Sequence, residues 1–279
     1  GMLRIAAGLL VLILAFSGAS CGRQTPEGGV SGGETGKAKD SEPASPFEGF
    51  YYYEEERADR YAEFALQRPD LDAEVIVWMV DADLDRDVYT DPVTAKAPES
   101  LTALVNKHVR LPEDYVPEDL VDIDLTTLRA EAANALKQMQ GDAEEEELTL
   151  IAQSGFRTYA RQKELYDGYR RDDPEGADTY SSRPGHSEHQ TGLAIDVNIA
   201  NVGNRDFVGT PEAAWVLENG WRYGYIVRYT PENGDFTSYE SEPWHLRYIG
   251  VENATRMQEE GILSFEEYWV KYVAHLPPQ

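Results

Sequence analysis

Cysteine is almost absent from this chain of 279 residues: Cys21 stands near the start and no other follows. Everything after it therefore lacks disulfides and thiolate metal sites, so a metal would have to be held by His, Asp or Glu. Histidine is scarce as well, with five copies. Basic charge is outnumbered, 25 Lys and Arg against 51 Asp and Glu, and the formal net charge is −26. Such an acidic surface repels phosphate backbones and anionic lipid, which argues against nucleic acid as a partner. What is present in ordinary measure is apolar material. At 41% hydrophobic residues the chain can build a sizeable core, in one large domain or two small ones.

Gly1 ahead of Met2 reads as a cloning scar. Arg4 and the run "IAAGLLVLILAFSGASC" then give a positive start and an apolar stretch of signal-peptide length. A permanent transmembrane helix needs about 20 apolar residues, and this run breaks into small residues sooner. Gly18-Ala19-Ser20 offers a small-x-small cleavage site, so residues 1–21 are expected to be a signal peptide and the protein to leave the cytoplasm. Cys21, directly after that site, resembles the lipid-attachment cysteine of bacterial lipoproteins, although Gly18 stands where such sites usually carry leucine. Secretion and lipid anchoring both stay open, and membrane contact is expected only through a lipid on Cys21. Residues 22–46 are rich in Gly, Ser, Pro and charge, with Val30 as their one large aliphatic residue. Such a composition has nothing to bury and predicts a disordered tether, leaving 47–279 as the folded domain.

Within that domain, "EEERADRYAEFALQR" suits a helix with Tyr61, Phe64 and Ala65 on one face and Pro69 as its stop. "EVIVWMVDA" is β-branched and apolar and reads as a buried strand, followed by a long irregular stretch that includes "LPEDYVPEDLVDI". "TTLRAEAANALKQMQG" carries Leu128, Ala132, Ala135, Leu136 and Met139 as a helical stripe stopped by Gly141. "ELTLIAQSGF", "LAIDVNI", "YIVRY" and "PWHLRYI" read as strands, and "YARQKELYDGYRR", "PEAAWVLENGW", "VENATRMQEEG" and "SFEEYWVKYV" as helices. Several strand pairs lack a crossover helix, so the expected class is α+β, a small antiparallel sheet with helices packed against it.

The stretch "GHSEHQTGLAID" places His186 and His189 just ahead of a strand. In that strand Asp196 shares a face with Ala194 and Asn198, opposite Leu193, Ile195, Val197 and Ile199. Burying the apolar face leaves Asp196 on the other side, where His189 can fold back towards it from a loop turned by Gly192. Zinc needs a third protein ligand if one position is to stay open. Of the remaining histidines, His275 lies in the tail and His108 sits between Lys107 and Arg110, a neighbourhood that disfavours a cation. His245 has Glu242 three residues before it, where a carboxylate could serve a metal-assisted hydrolysis as general base. Taken singly, each fragment is explained as well by a hydrogen-bonded loop pair. A Ser187–His189–Asp196 triad is disfavoured by the spacing and by the lack of a nucleophile elbow.

Together, "SEHQTGLAID" and "EPWH" resemble the paired signature SxHxxGxAxD and ExWH of the VanY-type zinc D-alanyl-D-alanine carboxypeptidases and the related L,D-carboxypeptidases. "LVNKHVRLPEDYVPEDLV", "SGFRTYARQKELY", "ADTYSSRPGHSEHQTGLAIDV" and "YGYIVRY" are similar to further family blocks in family order. The resemblance implies Zn²⁺ held by His189, Asp196 and His245, Glu242 as general base and then acid, and Arg157 on the scissile carbonyl. It places Gln162, Ser187 and Tyr229 at the substrate's terminal residue and carboxylate. His186 is off the family's ligand position and is expected to be exposed or to sit behind the ligands, and Trp244 and Trp221 to be pocket wall or core. The implied function is removal of the C-terminal D-Ala from peptidoglycan stem peptides, in the bacterial envelope. Two alternatives stand beside it: L,D-carboxypeptidase action on tetrapeptide stems, and a catalytically idle module that binds wall peptides.

Overall fold

The computed structural model describes residues 45–199 and 203–275. The expected signal segment, Cys21 and all but the last two residues of the expected tether lie outside the described residues. Among the described residues no helix is long and apolar enough to cross a membrane.

The chain opens with α1 (Ala58–Gln67) and α2 (Ala73–Asp81). Two short pairings follow, β1 (Val93–Thr94) with β2 (Val109–Arg110) in parallel, and β3 (Leu120–Ile123) with β4 (Thr126–Arg129) as an antiparallel hairpin. Then come α3 (Ala130–Glu145), β5 (Ile151–Ser154), α4 (Tyr159–Asp172), α5 (Ala177–Tyr180) and β6 (Ala194–Asn198). The order closes with α6 (Pro211–Asn219), β7 (Tyr225–Tyr229), α7 (Gly234–Thr237), β8 (Glu242–Tyr248), α8 (Val251–Glu260) and α9 (Phe265–Tyr272). The main sheet is antiparallel in the order β5-β6-β8-β7. The α+β class is therefore the observed one.

Period-2 burial explains how this sheet is used. Ile195, Val197, Leu246 and Tyr225 turn one face onto Ala132, Leu136 and Met139 of α3 and Val216 of α6, which forms the principal core. The opposite face carries Asp196, His245 and Arg247. It is flanked by a second cluster in which Leu104, Ile249, Met257, Phe265 and Tyr268 meet α8 and α9. A third cluster joins α1 and α2 to Val270 of α9.

Four expectations about secondary structure need correction. The stretch read as irregular ends in a strand, since the LVDI of "LPEDYVPEDLVDI" is β3. "EVIVWMVDA" is not a strand but α2: Ile76 to Ala82 are all buried, so no polar face marks the helical period. Thr126–Arg129 belongs to β4, and the predicted helix starts only at Ala130; Leu128, read as part of its stripe, is a buried strand residue. Gly141 does not stop α3, which runs on to Glu145, because one exposed glycine costs only about 1 kcal/mol in a helix anchored by the buried Ala132, Leu136, Met139 and Ala143. Trp78 of α2 packs edge-on against Phe236 at 5.0 Å between ring centres. Trp78→Ala should cost about 3–5 kcal/mol, read as a shift of the urea midpoint of the purified domain.

Candidate metal centre and active-site cleft

All eight residues singled out from sequence line one cavity of about 690 Å³: Arg157, Gln162, Ser187, His189, Asp196, Tyr229, Glu242 and His245. Its floor is the polar face of the sheet. Strand register places Asp196 of β6 directly opposite His245 of β8, and Nδ1 of that imidazole stands 3.1 Å from Asp196 Oδ1. His189 enters from a 3₁₀ turn, Glu188–Thr191, that ends on Gly192 at φ +68° before the chain turns into β6. Its Nε2 reaches Asp196 Oδ1 at 3.5 Å.

His189 is clamped by its neighbours. Its Nδ1 donates to the Gly155 carbonyl at 2.8 Å, and its own carbonyl accepts from the Arg157 amide at 3.1 Å. Gly155 runs so close over β4 that a Cβ there would stand 2.3 Å from the Thr127 carbonyl oxygen, so only glycine allows this crossing. With Nδ1 occupied, Nε2 is the nitrogen that faces the cleft. His189, Asp196 and His245 thus bring one donor atom each within 4.8 Å of one another, all three residues buried, and they are the one such His/Asp/Glu group among the described residues.

Glu242 reaches this cluster through an irregularity in β8. Val227 pairs with Leu246 but Tyr229 pairs with Glu242, so β8 holds two more residues than β7 across that interval. Pro243, which has no amide to donate, falls inside the bulge. The result is that Glu242 and His245, three apart, face the same side, with Oε2 and Nδ1 4.0 Å apart. Burial pushes the Glu242 carboxyl up to about 7, and the neighbouring Asp196 charge adds to that shift while His245 and Arg157 oppose it. Burial would also raise Asp196, but the imidazoles of His189 and His245 hold it below the usual carboxylate range. His245 is raised to about 9: burial opposes, and the carboxylates of Asp196 and Glu188 outweigh it.

Arg157 lies on the wall. Its Nη1 donates to Gln162 Oε1 at 2.8 Å and its Nη2 to Ser154 Oγ at 2.9 Å, while Gln162 Nε2 donates to the Ser182 carbonyl at 2.6 Å. Gln162 is buried with both ends of its amide engaged, so what it visibly does is fix the guanidinium. Ser187 and Tyr229 are also buried against the cavity, and the Tyr229 ring lies 5.1 Å from that of His245. Both tryptophans are as expected: Trp244 lines the cavity, and Trp221 packs against the Leu104–Ile249–Phe265 cluster and donates to the Glu218 carbonyl.

His186 stands apart from the ligand cluster. It is buried and not exposed: its Nδ1 is 2.8 Å from the Asn106 carbonyl and Tyr89 packs edge-on against its ring. Sequence reasoning missed Glu188, Arg228, Arg247 and Glu266, whose side chains form a fully buried ion-pair network under His245. Two arginines inside otherwise apolar strands were the available signal, since a buried guanidinium requires a carboxylate.

Comparison with known proteins agrees with this geometry. A profile of the VanY family, D-alanyl-D-alanine carboxypeptidase, matches residues 125–251. The protein YodJ of Bacillus subtilis (strain 168) is 41% identical over 197 residues, 64% of this chain and 70% of its own length. This chain belongs to the VanY family. Among solved structures, the LdcB LD-carboxypeptidase is 40% identical and superposes with a TM-score of 0.61 over 66% of this chain and 94% of that one. A mutant of the vancomycin-resistance D,D-pentapeptidase VanY, solved in complex with Zn(II), is 31% identical with a TM-score of 0.54 over 60% of this chain and 97% of that one.

If Gln162 acts chiefly by holding Arg157, Gln162→Leu leaves a buried guanidinium N–H and the Ser182 carbonyl without partners. Stability should fall by about 1–3 kcal/mol, measured by urea unfolding; an unchanged midpoint would return Gln162 to a purely substrate-facing role.

Proposed function

We propose that this member of the VanY family is a zinc carboxypeptidase of the bacterial envelope that releases the C-terminal D-Ala from peptidoglycan stem peptides ending in D-Ala-D-Ala. The observation that carries it is the convergence of His189 Nε2, Asp196 Oδ1 and His245 Nδ1 at the base of a cleft whose walls carry Glu242 and Arg157. Two imidazoles and a carboxylate suit Zn²⁺ and leave one coordination position open. The spacings of 3.1 and 3.5 Å fit that ion, since donors bound at ~2.0–2.2 Å around a tetrahedral centre stand roughly 3.4 Å apart. When bound, the ion acts as a Lewis acid that activates water and polarises the scissile carbonyl.

The chain's own residues supply the rest. Glu242, a part-buried carboxylate on the cleft wall 4.0 Å from His245, can accept the proton of the attacking water and pass it to the departing amine. Arg157, immobilised by Gln162 and Ser154, offers a preorganised positive charge to the developing oxyanion, a term worth ~3–4 kcal/mol when one such donor is lost. Ser187 and Tyr229, which line the same cavity, are the residues assigned to the terminal residue and its carboxylate in this reading. No covalent intermediate is required.

A second reading is favoured by one observation: the LdcB LD-carboxypeptidase is more similar to this chain, at 40% identity, than the D,D-pentapeptidase VanY, at 31%. The two activities differ in the configuration of the residue before the scissile bond. Incubating the protein with defined pentapeptide and tetrapeptide stems and weighing the products separates them. Loss of D-Ala from the pentapeptide is expected; loss from the tetrapeptide alone would make it an L,D-enzyme. With either stem, Glu242→Gln should keep the zinc content and lower the rate by at least ~10²-fold, because positioned acid–base catalysis supplies ~10²–10⁴-fold. Peptide binding without cleavage by the wild type would favour the idle module.

The same proposal includes the division of the chain into an export segment (1–21), a tether (22–46) and the catalytic domain (47–279), on composition alone. Limited proteolysis should leave a stable core that begins near Phe47. A core that retains residues 22–45 against several proteases would refute the tether.

A further inference from the structure

Glu188 precedes the proposed ligand His189 and takes no part in the chemistry above, yet its carboxylate is among the most constrained groups in the protein. Its side chain is fully buried, as are those of Arg228, Arg247 and Glu266. Oε1 accepts from Arg228 Nε at 2.9 Å and from Arg247 Nη1 at 3.0 Å. Neither guanidinium is free to move. Arg228 is gripped from its other side by Glu266 at 2.6 and 3.0 Å, and Arg247 donates to the carbonyls of Leu101, Ala103 and Tyr248 at 3.0, 2.8 and 3.1 Å. The second oxygen of Glu188, Oε2, stands 3.3 Å from His245 Nε2.

A carboxylate that receives two guanidinium groups on one oxygen is an acceptor only, so the imidazole nitrogen facing its other oxygen must be the donor. Nδ1 faces the Asp196 carboxylate in the same way, so when a cation takes the place of the Nδ1 proton the proton that remains on His245 is the one on Nε2, held by Glu188. The lone pair is then on Nδ1, the nitrogen that faces Asp196 Oδ1 and the cleft. We propose that Glu188 is a positioning residue of the metal centre, holding His245 in its Nε2–H form so that Nδ1 is presented to the cation. The inference rests on the zinc reading above.

The two imidazoles are thus held through opposite nitrogens and by partners of different kind. His189 is fixed by a neutral backbone carbonyl, His245 by an anion. An anionic partner raises the basicity of the ligand nitrogen as well as orienting the ring, and loss of such a partner typically weakens metal binding 10–100-fold. Arg228, Arg247 and Glu266 act one step further back, by keeping the carboxylate from swinging away.

The competing explanation is that Glu188 serves only as counter-ion to two buried arginines. The two are separated by measuring zinc affinity, through competition with a chromophoric chelator, alongside the thermal midpoint of the full chain. Glu188→Gln should weaken Zn²⁺ binding by ~10–100-fold, and Glu188→Asp, which keeps the anion with a shorter reach, should recover part of it. A lowered midpoint with zinc affinity within about twofold of wild type would overturn the proposal. Because loss of a buried anion can prevent folding, the wild type supplies an independent reading: nuclear magnetic resonance of the zinc-loaded, ¹⁵N-histidine-labelled protein. Zinc on His245 Nδ1 with a slowly exchanging proton on Nε2 is the expected result, and zinc on Nε2 would sink the idea whatever the variants do. A wild-type chain that binds no Zn²⁺ at all would instead remove the metal reading beneath it.

Discussion

The register between β6 and β8 is the constraint from which the rest of the site follows. Ile195 faces Leu246 on the core side, and the next pair along sets Asp196 opposite His245 on the other side. A slip of one residue would send the whole apolar set of a strand to the polar face, so the core packing that locks Ile195 and Leu246 also locks Asp196 against His245. Stability and chemistry are coupled here by the two-residue period of the strand. Neither of these two residues could be moved to the other face of its strand without exposing part of the core that α3 and α6 cover.

Regular pairing alone would not complete the cleft. The two interruptions of the main ladder both occur at its functional end. In β5 one extra residue lies between Ala152 and Ser154, which brings Ser154 opposite Asp196 and its hydroxyl within reach of Arg157. In β8 the bulge around Pro243 turns Glu242 to the same side as His245. Bulges cost ladder hydrogen bonds and gain aim, which is why they concentrate where side chains must converge.

These facts also explain what could be read from the sequence. The four strands of the main sheet and the helices α4, α6, α8 and α9 were legible because each carries its own period and its own stop. The cluster of His189, Asp196 and His245 was legible because histidine is scarce, no cysteine follows Cys21, and two short motifs fall at familiar spacing. α2 was not legible: it is buried between α1 and α9, so it lacks the polar stripe that separates a helix from a strand. β4 was hidden because Leu128 keeps step with the helical stripe behind it, and nothing in "TTLRAEAA" marks where the hairpin with β3 ends. The register shifts were out of reach altogether, because a bulge is a property of two strands and neither sequence contains it. Hence Glu242 could be named as a base from its motif, but the reason that it can face His245 could not.

The network beneath His245 shows how a chain with a net charge of −26 builds a rigid polar floor. Two carboxylates and two guanidiniums are enclosed together, Glu188 and Glu266 against Arg228 and Arg247, so the cluster is neutral before His245 is added. Such a group gives little net stability, because desolvation offsets most of the attraction, yet removing one member leaves an unpaired buried charge that costs about 3–5 kcal/mol. It therefore behaves as a lock more than as glue. An apolar replacement could match it in stability, but no apolar side chain can dictate which nitrogen of an adjacent imidazole carries the proton. That requirement, together with the need to hold a reactive constellation to within about 0.5 Å, gives a physical reason for placing ions and not aliphatic side chains at this point of the fold.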